Sequence, residues 1–156
     1  MGKSWKTAKP VALGAPRLVM QRQEDPITQT VVRLPPTPES VREARRFVAS
    51  VLDGWSTLGT VEVVVLLTSE VVTNAVLHAG PHAPSDELVL TLTLHGDLVR
   101  VEVRDPGDGP LVRRDGTHEA LSGRGLLLLD ALASDWEVRP DRPGKVVCFQ
   151  VRAEAV

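Results

Sequence analysis

Aromatic side chains are scarce in this chain: tyrosine is absent, phenylalanine occurs twice and tryptophan three times among 156 residues. So few flat faces do not make a base-stacking surface, and a formal charge of −2 does not provide the basic field that nucleic acids or anionic membranes require. Cysteine is confined to Cys148, which excludes a disulfide framework and any cysteine-based metal spacing; a reducing cytoplasm is the simplest compartment. No segment is read as a membrane span, and the apolar stretch from Val11 to Ala15, cut by Pro10 and Pro16, is too short for a signal-peptide core. Also missing are the phosphate loop G-x-x-x-x-G-K-[ST], the zinc helix H-E-x-x-H and the nucleophile elbow G-x-S-x-G. His78 and His82 have the spacing of a metal pair, but Gly80-Pro81 breaks the chain between them, so a structural or surface role is preferred. His95 and His118 fall in expected loops.

What is present suits one globular domain, since 42% hydrophobic residues can fill a core without metal or disulfide support. Residues 1–29 mix Pro, Gly, Gln and charge without periodicity and are expected to be a flexible tail; residues 30–156 are expected to form the domain. Val31 to Leu34 reads as a short edge strand. Thr37-Pro38 then offers an N-cap and a first-turn proline to a helix whose apolar positions are Val41, Ala44, Phe47, Val48, Val51 and Leu52, closed by Gly54.

The valine-rich stretch Val61 to Ala79 has strand propensity, yet it is too long for a globular strand and ends on Gly80-Pro81, so it is expected to be a helix. From Asp86 to Arg104 the period changes to two, with a turn at His95-Gly96-Asp97, which predicts a hairpin. Its second strand buries Val99, Val101 and Val103, and Asp105 continues that parity, so a carboxylate is aimed inward. A helix from Leu126 to Ala133 and strands at Trp136 to Arg139 and Lys145 to Arg152 complete the pattern. The fold class is α+β: a two-layer α/β sandwich with a mixed, mainly antiparallel sheet covered on one face by helices.

Three segments carry candidate chemistry. Glu70 and Asn74 lie one helical turn apart; a carboxamide oxygen suits Mg²⁺, which takes few protein ligands, and a neighbouring carboxylate can accept a proton. Alternatively, both are polar positions on a half-exposed helix. In Asp105-Pro106-Gly107-Asp108-Gly109, the carboxylate can accept from an exocyclic amine while Gly107 and Gly109 let backbone pass close to a ligand; the same composition also suits an ordinary turn. Gly123-Arg124-Gly125-Leu126 places two glycines at a helix start, where amides suit phosphate oxygens. Arg124 there either adds charge at a γ-phosphate or is a solvated loop residue.

In this order, with separations of roughly thirty and roughly twenty residues, the segments resemble the N, G1 and G2 boxes of the GHKL ATPases, which have the Bergerat fold. The resemblance spans approximately residues 30 to 152. It implies ATP and Mg²⁺ as cofactors, Glu70 as catalytic base, Asn74 as metal ligand, Asp105 as adenine acceptor, and Gly107, Gly109, Gly123, Arg124, Gly125 and Leu126 as the rest of the nucleotide cradle. At Pro143-Gly144-Lys145 many relatives have Gly-Thr, so Lys145 puts a hydroxyl contact to phosphate in doubt. Within the superfamily the chain is similar to the small anti-sigma factor serine/threonine kinases, on its size and on Ser40 to Val48 preceding the boxes. A sensor histidine kinase is disfavoured, since the first histidine, His78, lies in the N box itself, and a large transducer domain has no room. The similarity implies a homodimer whose partners are a sigma factor or an antagonist protein with a phosphorylatable Ser or Thr, with no direct nucleic acid and no membrane. The rival expectation is a non-catalytic ATP-binding module that regulates a partner.

Overall fold

A computed structural model describes residues 27–55, 58–77, 86–106, 123–141 and 144–153. Five strands and three helices follow in the order β1 (Thr28–Leu34), α1 (Glu39–Val51), α2 (Leu58–Leu77), β2 (Leu88–His95), β3 (Leu98–Asp105), α3 (Gly123–Leu132), β4 (Asp135–Asp141) and β5 (Gly144–Arg152). The strands form one sheet in the order β1-β2-β3-β5-β4. All four pairings are antiparallel, so the described sheet has no parallel pair, a simpler arrangement than the mixed sheet expected. The α+β sandwich is thus present, with helices on one face.

Alternation decides which face is which. Leu88, Leu90 and Leu92 of β2, Val99, Val101 and Val103 of β3, and Val147, Phe149 and Val151 of β5 are all buried under the helices. Each such side chain withdrawn from water contributes roughly 1.5–3 kcal/mol. Gly96, at φ +58°, makes the tight two-residue turn between β2 and β3 that leaves His95 opposite Leu98.

On the outer face, Glu102 accepts from Arg139 at 2.8 Å and from Arg100 at 3.3 Å, and Arg104 meets Asp141 at 2.7 Å. Arg100 and Glu102 are half-buried in this ladder. Beneath it lies Cys148, whose burial pushes its thiol up to about 11.

α1 buries Ser40, Ala44 and Val48, and Leu52 caps its end at full burial. Pro38 stands at its N-cap with helical dihedrals, and the Ser40 hydroxyl turns back onto the Pro35 carbonyl, tying the helix to the end of β1. Gly54, at φ +72°, turns the chain out of α1. α2 packs on α1, α3, β3 and β5. By length and composition its segment Gly59–Leu77 passes as a membrane span, which sequence reading had not anticipated. Here it is a core helix: Val64, Leu67, Val71, Val72 and Ala75 belong to the buried core, and Thr60, Thr68 and Asn74 are buried as well.

β4 is an edge strand, which is why it tolerates Pro140 inside its span. β1, the other edge, starts earlier than expected, at Thr28, because its pairing with β2 continues to Leu94.

Candidate functional site

The first component is the inner half of α2. A helical turn brings Glu70 and Asn74 onto one stripe, with Asn74 4% exposed and Glu70 half-buried. Between them Thr73 donates its hydroxyl to the Ser69 carbonyl at 2.6 Å, which satisfies a polar group inside an apolar helix. A carboxamide withdrawn this far from water requires a compensating polar contact. Among the described residues no cluster of three or more His, Cys, Asp or Glu side chains can hold a metal. A cation here would rest on Asn74 and on oxygens supplied by a ligand, the coordination style of Mg²⁺.

The second component is the end of β3. Asp105 follows the inward parity of Val99, Val101 and Val103 and is 1% exposed. Directly across the β3–β5 ladder stands Lys145, 5% exposed, with its Nζ 3.6 Å from Asp105 Oδ2. That separation is a Coulombic contact rather than a hydrogen bond. Gly144 makes it possible. A Cβ there would overlap the Asp105 carbonyl oxygen and come within 2.7 Å of the Pro106 Cα, so only glycine lets β5 start this close to the exit of β3.

Sequence reading noticed Lys145 only as a departure from Gly-Thr and missed its burial beside Asp105. The available signal was parity: Lys145 shares a face with Val147, Phe149 and Val151.

The third component is α3. It begins at Gly123, not after Gly125 as expected, so both glycines belong to its first turn, where amides have no acceptor within the helix. Gly125 is buried and Leu126 half-buried, while Leu127 points outward at 71% exposed. The helix is oriented at its far end by Trp136, whose Nε1 donates to Asp130 at 2.7 Å while its ring is buried. Sequence reading did not identify this anchor.

α2 packs against both α3 and β3, so the Glu70 and Asn74 helix neighbours the Asp105 strand on one side and the Gly123 helix on another. Gly107 and Gly109 lie outside the described residues, as do the side chain of Arg124, His78, His82 and His118. Chemically the assembled groups are a buried carboxamide, a half-buried carboxylate, a buried carboxylate with an ammonium beside it, and a helix N-terminus.

The family model for the histidine kinase-like ATPase domain matches residues 34–151. No curated protein sequence matches the chain. Among solved structures, the chain is similar to the RsbU and RsbW domains of Rv1364c from Mycobacterium tuberculosis, at 20% identity and a TM-score of 0.60. That likeness covers 83% of this chain and 34% of the other, so the chain spans about a third of its length; at this identity it is a likeness of fold.

Proposed function

From the premise that the chain belongs to the histidine kinase-like ATPase family, we propose that it is an Mg-ATP-binding regulatory protein that phosphorylates a Ser or Thr of a partner protein. The observation that carries this is the buried Asn74 one turn from Glu70, on a helix that is otherwise core, in the family region and order in which Asp105 and the Gly123 helix follow.

In this reading Asn74 would hold Mg²⁺, Asp105 would accept from the adenine amine, and the first turn of α3, with Gly123, Arg124, Gly125 and Leu126, would receive phosphate oxygens. Gly107 and Gly109 would complete the cradle. When bound, Mg-ATP supplies the γ-phosphoryl group. Glu70, half-buried and adjacent to Asn74, takes up the proton of the acceptor hydroxyl at its carboxylate. The partner is an anti-sigma factor antagonist or a sigma factor, the kinase is a homodimer, and its compartment is the cytoplasm, where a lone buried Cys148 needs no oxidant. The fold shared with a chain that contains RsbU and RsbW domains supports a regulatory role of this class.

Glu70→Gln tests it. The substitution keeps size and polarity, so Mg-ATP affinity should stay within a few-fold while transfer to the partner's hydroxyl falls by roughly 10²-fold or more. If the wild type transfers nothing to its true partner and Glu70→Gln still regulates that partner, the chain is a non-catalytic nucleotide-holding module instead.

A further inference from the structure

We propose that Lys145 is a specificity-determining residue of the base site, donating a hydrogen bond to the ring nitrogen N1 of adenine beside the amine that Asp105 accepts from. The inference rests on Asp105 being the adenine acceptor. It begins from the register, in which Asp105 and Lys145 are direct cross-strand partners on the helix-covered face. Directly opposite residues bring their side chains alongside one another, and Gly144, with no Cβ to collide with the Asp105 and Pro106 backbone, lets the two strand ends approach.

An ammonium carries three N–H donors and no acceptor. Asp105 is the counter-ion of Lys145 among the described residues, and at 3.6 Å it neutralises charge without consuming a donor in a good hydrogen bond. The pair therefore presents an anionic acceptor next to a cationic donor, with side chains only 2% and 6% exposed. The Watson–Crick edge of adenine is the complement of that arrangement, an amine donor adjacent to a ring acceptor. A ligand that engages both groups at once also rewards the burial of a lysine, which a lone ion pair at this distance does weakly.

The test compares ATP with 1-deaza-ATP, which keeps the amine and replaces N1 by C–H, using calorimetry on the whole chain with Mg²⁺. Wild type should prefer ATP by about tenfold or more, the scale of one hydrogen bond to a charged group. Lys145→Met should lose affinity for ATP and not for the analogue, bringing the preference close to one, and Lys145→Arg should restore part of it. Equal binding of the two nucleotides by wild type overturns the proposal without needing any variant to fold. So does Lys145→Met that binds ATP more tightly, which would make Lys145 a competitor of the amine, or that loses both nucleotides equally, which would make the lysine structural. Failure of wild type to bind either nucleotide overturns the ATP reading itself.

Discussion

The carboxylate of Asp105 and the ammonium of Lys145, 3.6 Å apart across β3 and β5, are an ion pair with both members buried. Removing one member leaves the other charge in the interior without its counter-ion, at a cost of about 3–5 kcal/mol, whereas removing both spares most of that penalty. Asp105→Asn and Lys145→Met should therefore each lower stability in urea unfolding by more than half of what the double variant loses. Additivity within about 0.5 kcal/mol would show that the two groups do not depend on each other.

Asn74→Ala should weaken Mg-ATP binding roughly tenfold or more while changing metal-free ATP binding only a few-fold, because only the metal uses the carboxamide oxygen. Titrations with Mg²⁺ and with EDTA separate the two. Equal losses under both conditions would assign Asn74 to the support of α2.

Gly144→Ala should cost about 1–3 kcal/mol, since its Cβ meets backbone that cannot rotate away. ATP affinity should fall with it, because β5 can relieve the clash only by moving off the strand that holds Asp105. Gly54→Ala is the control: nothing lies within 4 Å of its Cβ, so its cost comes only from the φ of +72° and leaves nucleotide binding alone. Thermal melts with and without nucleotide distinguish the two sites.

Cys148 predicts a pH dependence. Its thiol is raised from 9.0 to about 11, with burial the largest cause. Below pH 9 the folded and unfolded chains both hold the proton, and the stability is fully present. Between pH 9 and about 11 the unfolded chain releases it first, so stability falls with rising pH, by roughly 2–3 kcal/mol once the folded thiol also titrates. Subtracting the Cys148→Ala profile from the wild-type urea profile isolates this loss, and parallel profiles would refute it.

Much of the architecture is legible from local periodicity. The leucine and valine alternation through β2 and β3 gives the hairpin and aims Asp105 inward, and the length of the valine-rich stretch overrides its strand propensity to give α2. Lys145 was not legible in the same way. Its position opposite Asp105 follows from a β3–β5 pairing that skips over α3 and β4, a non-local register that no spacing within either strand encodes. The start of α3 was missed because glycine disfavours helix interiors, a penalty that matters less in a first turn whose placement is fixed by Trp136 holding Asp130 at the other end. Gly107 and Gly109 fall outside the described residues.

β3 is the third of five strands, hydrogen-bonded to β2 on one side and β5 on the other. Its amides are released to solvent exchange only by openings that disrupt much of the sheet, whereas β1 and β4 can fray from the rim at smaller free energy. The carboxylate of Asp105 is consequently mounted at the end of the central strand of the described sheet, while α3 packs beside the rim strand β4. Deuterium uptake would display this as two separate clocks within one small domain, a slow one for the central strand and a faster one for the rim.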